Sequence, residues 1–411
     1  MIGASPVVGP PREDAAAPRD SAAAPRDSAA APRDSAAAPR DSAVGTVISA
    51  WSAVSPFGLQ SADFATGLRE RRGGAALNRD RGPAPVEAAW LVPGFDAREV
   101  LGRKGTRSMD RVTALAVAAT EQLLRGPGGE RIDGVGNDTA LVLGTNISSA
   151  QSIMDFTRDT FVQDKPYFVD PARFPNVVLN CAAARCAIWH RLQGPNATIS
   201  GGRASGLLAL SYARRLQRSG RAGPVLCGAA EEFSVARAWL QTLSEPDLPT
   251  SAILSEGCAM VLLEPAGRPA GHLRTALAEL LALEFGVYRA LTGVQPALAD
   301  CLDRAFAAAH ESPARLWAVI SSGGPNLPGV AEDAALTEIL GDRVPVRHRA
   351  TDLVGDVGAA SASFGLTAVL ALAAQEPAAH GRTALLTAVD RDGVVGCGLL
   401  RLICGAGEQP S

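Results

Sequence analysis

From Gly45 onward, short apolar runs alternate with stretches whose apolar residues recur at helical spacing. Thr139–Gly144 is a continuous apolar run, the pattern of a strand buried on both faces. Gly45–Gly58 reads as a strand that runs into a loop closed by Pro56 and Gly58. Further strands are expected at Ala197–Ser200, Pro224–Gly228 and Glu256–Glu264, then at Arg274–Leu283, Leu316–Ser321, Ala384–Val389 and Val394–Leu402. Helices are expected at Ser61–Arg71, Met109–Leu124 and Asn146–Phe161. Phe174–Asn180 leads into another, rich in small residues (Ala182, Ala183, Ala184 and Ala187). Pro296–Ala309, Ala331–Leu340 and Ala359–Ala374 complete the set. Strands and helices alternate through two successive halves, 45–265 and 266–411, which predicts an α/β architecture.

Residues 1–44 break this pattern. The heptapeptide Ala-Ala-Ala-Pro-Arg-Asp-Ser occurs four times between Ala15 and Ser42. A period of seven suits a coiled coil, but a Pro in every repeat removes a helix hydrogen bond each time. No large apolar side chain is available for burial, so a disordered tail is expected.

Composition narrows the function classes. A hydrophobic fraction of 47% with 20% charged residues belongs to a soluble globular chain. The net charge of −3 points away from nucleic acid. The chain has no apolar run of 18 residues and no basic-then-apolar leader, so neither a membrane span nor a secretion signal is expected. The seven cysteines are scattered, odd in number and without a CxxC pair, which argues against disulfides or a metal site and for a reduced, cytoplasmic setting.

The organising stretch is Asn196–Leu210: a short strand, the Gly201-Gly202 turn, and a helix that ends in Arg214, Arg215 and Arg218 before Gly220. A strand breaking sharply into a helix presents one residue where free N–H groups and the positive dipole end stabilise a thiolate or oxyanion. That residue here is Arg203, whose charge opposes the dipole and which cannot act as a nucleophile.

Gly194-Pro195 followed by Ser200-Gly-Gly-Arg-Ala-Ser-Gly206 resembles the nucleophile elbow of the β-ketoacyl synthases, in which Cys precedes Ala-Ser-Gly. Val54–Gly58 is similar to the turn after that family's first strand. Glu256–Glu264 resembles its Glu-Gly-Ala strand. The resemblance covers residues 45–404. It implies a thiolase-like five-layer αβαβα fold made of two similar halves. It also implies a catalytic Cys and two His, all replaced here. Arg203 stands at the Cys position. Ser322 stands at the first His position, in Ser322-Gly-Gly-Pro-Asn-Leu-Pro-Gly-Val330. Asp356 stands at the second, in Gly355-Asp-Val-Gly-Ala-Ala-Ser-Ala362. Asp333 is a displaced counterpart of an acidic residue downstream. Asp390-Arg-Asp-Gly393 replaces a Phe- and Gly-rich gate loop. The remaining histidines (190, 272, 310, 348 and 380) fall outside these loops and read as packing or surface residues. A nucleophilic serine needs a base, and none is identifiable for Ser205 or Ser322.

An intact scaffold without thiolate or imidazoles resembles the chain length factor, the ketosynthase-β subunit of type II polyketide synthases. The implied role is non-catalytic: pairing with a ketosynthase-α subunit and measuring the chain. The implied substrates ride on the phosphopantetheine of an acyl-carrier protein, and no cofactor or metal is implied. Met154–Phe161 is similar to the segment that closes the polyketide tunnel in the aromatic class. Met154, Thr157 and Phe161 share one helix face and by this resemblance line the tunnel end. The same spacing on its own describes a core stripe. Arg in place of the usual Gln at position 203, and the segments Phe174–Asn180 and Gly194–Thr198, incline the resemblance towards highly reducing systems that make polyenes. Two alternatives stay open. One is a divergent acyltransferase or decarboxylase in which Arg203 holds a malonyl carboxylate. The other is a homodimeric pseudo-synthase that binds acyl-carrier protein.

Overall fold

The computed structural model describes residues 45–70, 72–73, 84–125, 129–244, 253–267, 274–341 and 343–403. The repeat-containing tail, His272 and Cys404 lie outside them. The first half contributes β1 (Thr46–Val54), β2 (Ala89–Trp90), β3 (Ala140–Gly144), β4 (Asn196–Ile199), β5 (Val225–Glu231), β6 (Leu254–Ser255) and β7 (Gly257–Pro265). The second contributes β8 (Ala278–Val287), β9 (Leu316–Ser321), β10 (Val346–Arg349), β11 (Thr383–Val389) and β12 (Val394–Leu402).

Ten of these strands hydrogen-bond in the order β10-β9-β11-β12-β8-β1-β7-β5-β3-β4, while β2 pairs with β6 separately. From the centre outward, β1-β7-β5-β3-β4 runs antiparallel, antiparallel, parallel, parallel. The series β8-β12-β11-β9-β10 repeats those senses. The two series join through a short antiparallel contact, Thr46–Ile48 against Ala278–Leu280.

Side-chain alternation along the strands divides the core into layers. On β3, Ala140 and Val142 pack inward with helix Ser205–Arg218, while Leu141 and Leu143 pack outward with Arg111–Leu124 and Cys181–His190. On β11, Ala384 and Leu386 face the inner layer, while Leu385 and Val389 face outward to Val294–Ala309 and Leu327–Leu340. Helix Ser361–Ala373 is buried along nearly its whole length, as an all-round apolar helix must be. It packs beside Ser205–Arg218 between the two five-strand series. A Cβ on Gly206 would sit 2.7 Å from Ser363 Oγ, so glycine permits this close approach. The layers are therefore helix, sheet, paired helices, sheet, helix.

Several boundaries differ from the sequence expectation. Helix Ala150–Val162 starts four residues later than expected, with Ser149 as its cap accepting from Ser152 N. Helix Leu327–Leu340 starts four residues earlier, where Asn326 caps it and Pro328 fills the first turn. The β8 strand is Ala278–Val287, shifted from Arg274–Leu283. Pro171–Val177 forms a 3₁₀ helix. The edge strand β10, Val-Arg-His-Arg, was not expected at all, because a polar edge strand carries no apolar alternation.

Candidate functional site

β4 ends at Ile199 and the chain turns through Gly201-Gly202 into Arg203. Gly202 has φ +53°, and a Cβ there would lie 1.9 Å from Asp390 Oδ2. The turn therefore needs glycine for both conformation and space. Ser205 Oγ closes it by donating to Gly202 O at 2.7 Å and accepting from Gly201 N at 3.0 Å. That commits the Ser205 hydroxyl to the turn. Asp390, in the turn between β11 and β12, accepts from Arg203 N at 2.7 Å, so a carboxylate meets the elbow's positive dipole end.

Arg203 is 7% exposed. Its Nη2 lies 2.8 Å from both Oδ1 and Oδ2 of Asp356, and Nη1 lies 3.4 Å from Ser361 Oγ. Asp356 also accepts from Gly358 N at 3.0 Å. Burial works against the Asp356 charge, but the Arg203 and Arg237 guanidinium groups outweigh it and hold its carboxyl below the usual range. Arg237 is itself fixed by the carbonyls of Glu232, Ser255 and Asp356. Two of the three positions that resemblance singled out are therefore joined in one buried ion pair, which the sequence reading did not anticipate.

Ser322 follows β9 and is buried. Its Oγ donates to Glu332 Oε2 at 2.7 Å, while Thr387 Oγ1 donates to Glu332 Oε1 at 2.6 Å. The sequence identified no partner for Ser322; the structure supplies Glu332, just past the first turn of Leu327–Leu340, as its hydrogen-bond acceptor. Burial pushes the Glu332 carboxyl above its ordinary range. Its signal in the sequence was a carboxylate on the apolar face shared with Ala335 and Leu336. Asp333, the acidic counterpart named from the sequence, instead accepts from Ser321 Oγ at 2.9 Å and pairs with Arg349 at 2.6 Å. Gly324 links this loop to the elbow, since a Cβ on it would sit 3.0 Å from Arg203 Nε.

Met154, Thr157 and Phe161 lie elsewhere, on the open side of helix Ala150–Val162. Only Ala150 of this helix is buried, and Phe161 is 82% exposed. The core-stripe reading is therefore overturned. Phe156 packs edge-on against Phe174, and Tyr167 and Phe168 extend the apolar surface. The helix start is tied down by Glu232. Its Oε1 accepts from Ser149 Oγ at 3.1 Å and Gln151 N at 3.4 Å, and its Oε2 accepts from Val112 N at 3.3 Å. Burial, aided by nearby Asp110, pushes the Glu232 carboxyl up to about 8.

Among the other histidines, His190 is buried between two outer helices. Its Nε2 donates to Val117 O at 3.1 Å and its Nδ1 lies 3.2 Å from Glu121 Oε2. His310 occupies a left-handed helix C-cap. The six described cysteines are free and buried. No described helix is long and apolar enough to cross a membrane.

Two equivalent α/β series around a central helix pair, with a glycine elbow at the start of one helix, define a thiolase-type condensing-enzyme scaffold. The beta-ketoacyl synthase N-terminal domain matches residues 47–268, and the chain belongs to the beta-ketoacyl synthase family. It is 29% identical over 188 residues to 3-oxoacyl-[acyl-carrier-protein] synthase 2 of Synechocystis sp.; the match covers 45% of each chain, so it spans less than half of that relative. It superposes on the ishigamide ketosynthase/chain length factor with a TM-score of 0.81 and 42% identity, covering 87% of this chain and 99% of that one. A beta-ketoacyl synthase from Burkholderia phymatum STM815 shares the fold, with a TM-score of 0.73 at 19% identity over 87% of this chain and 99% of that one.

Proposed function

We propose that this chain is the chain length factor of a type II polyketide synthase, paired with a ketosynthase-α subunit that carries the chemistry. The observation that carries this reading is the Arg203–Asp356 ion pair. Decarboxylative condensation needs a thiolate to hold the acyl chain and imidazoles to stabilise the developing oxyanions. At the corresponding positions this chain has a guanidinium neutralised by a carboxylate, and a serine bound to buried Glu332. Similarity to the ishigamide ketosynthase/chain length factor supports the reading, as does the exposed apolar face around Phe161, Tyr167 and Phe168, of the kind a large subunit interface covers.

In this reading the growing chain rides on the phosphopantetheine of an acyl-carrier protein, and Met154, Thr157 and Phe161 form the tunnel's far wall. Met154 gives that wall a flexible thioether, which suits a linear, reduced polyene chain. Use of Arg203 to hold a malonyl carboxylate is the weaker alternative, because Asp356 already occupies its Nη2.

The test is co-expression with a ketosynthase-α of a type II polyketide synthase, one encoded beside this chain where there is one, tagging only this chain and supplying malonyl-carrier protein. An equimolar complex that elongates, while this chain alone is inert, is expected. A homodimer that leaves the ketosynthase behind would overturn the assignment in favour of a carrier-protein-binding pseudo-synthase.

A further inference from the structure

We infer that Glu232 is a positioning residue that sets where the chain-measuring helix stands, and so helps to define product length without touching the product. This rests on the tunnel role proposed for Met154, Thr157 and Phe161. Helix Ala150–Val162 fully buries only its first residue and rests its partly buried side on Phe174 and helix Val235–Ser244. Its N-terminus is held by polar contacts from the layer beneath. Glu232 follows directly on β5, a central strand of the first half, and is 2% exposed. One oxygen of its carboxylate takes the hydroxyl of the cap residue Ser149 and the N–H of Gln151. The other takes the N–H of Val112, in the first turn of the buried helix Arg111–Leu124.

One carboxyl group thus joins two helix N-termini through its two oxygens. It transmits the position of the rigid sheet to the exposed helix. A second tie points the same way: Ala236 N donates to Gln151 Oε1 at 3.2 Å, joining the helix to Val235–Ser244. Met154 sits one turn beyond Gln151. A shift at the helix start therefore moves the proposed wall residues with it.

The experiment uses the full complex with the ketosynthase, and reads the length distribution of released polyketide by mass spectrometry alongside total turnover. Glu232→Ala and Ser149→Ala are compared with Glu232→Gln, whose amide oxygen keeps the acceptor for Ser149 and Gln151 while giving up the one for Val112 N. Met154→Trp serves as the direct wall variant, and His190→Gln as a destabilised control outside the tether. Ser149→Ala covers the case in which Glu232→Ala fails to fold. Glu232→Ala or Ser149→Ala should broaden the distribution, raising the ratio of off-length to normal product by roughly three-fold or more. Glu232→Gln should restore it in large part, and His190→Gln should leave it unchanged. Amide hydrogen exchange over 150–162 should accelerate in the two alanine variants. If Met154→Trp shifts length while both alanine variants keep the normal distribution, Glu232 is only structural and the inference falls alone. If Met154→Trp also leaves length unchanged, the tunnel role falls and takes the inference with it.

Discussion

Arg203 and Asp356 sit with Nη2 2.8 Å from both carboxylate oxygens, and the pair bridges the elbow of the first half and a loop of the second. Both side chains are nearly sealed from solvent, at 8% and 1% exposure. Removing one partner strands a buried charge, whereas removing both leaves a neutral space. Arg203→Met should therefore cost about 3–5 kcal/mol, and Arg203→Met with Asp356→Leu should cost less than the single change. Urea denaturation of the four members of the cycle measures this; simple additivity would contradict it.

Arg203→Cys should not create a condensing enzyme. A thiol at the elbow would face the Asp356 carboxylate, with Ser322 in place of an imidazole, and nothing there generates or uses a thiolate. Single-turnover assays with malonyl-carrier protein should show no acyl transfer to the new thiol.

Wall variants should act on length and leave assembly intact. Met154→Trp or Thr157→Trp adds bulk at the proposed tunnel end and should shorten the product, read by mass spectrometry of the complex. Unchanged length in both would remove this helix face from the role.

His190 provides a pH signature in stability. Burial disfavours its charge, but Cys186 and Glu121 against the ring outweigh this and raise it to about 9, from an ordinary 6.5. The protonated form is thus preferred in the folded state. Its contribution, roughly 2 kcal/mol, is complete below pH 6.5 and is lost as pH rises to about 9. His190→Gln should flatten that limb of the stability–pH curve.

Glu232 acts with the same sign over a lower window. Its carboxyl rises from 4.5 to about 8 on folding, so between those values the folded state binds the extra proton and stability falls as pH rises. Glu232→Gln carries no such proton. Relative to wild type it should gain roughly 1 kcal/mol or more in stability between pH 5 and pH 8, measured by denaturation at the two pH values.

Much of the scaffold was legible because burial leaves a periodic trace. The short continuous runs at 139–144, 256–264 and 384–389 read as buried strands, and the glycine elbow announced itself by Gly201-Gly202 before a helix. Legibility failed where polarity and pairing decide. The edge strand Val346–Arg349 has no apolar alternation, and the start of helix Ala150–Val162 depends on a cap at Ser149 rather than on hydrophobic spacing.

At the site, the sequence alone singled out Arg203, Ser322 and Asp356, because each lies within a local motif that can be read along the chain. Only the tertiary structure decided what those residues do to one another. Arg203 and Asp356 are 153 residues apart, and Thr387 and Glu332 are 55 apart. Nothing local encodes such pairings. The first arises because the two folded halves bring their loops to one end of a shared helix pair, where a buried charge must find its counter-charge; the second arises within the second half, where strand Thr383–Val389 packs against helix Leu327–Leu340 and a buried carboxyl must find a donor. The exposure of Met154, Thr157 and Phe161 has the same origin: helical spacing states that they share a face, and only packing decides that the face is left open.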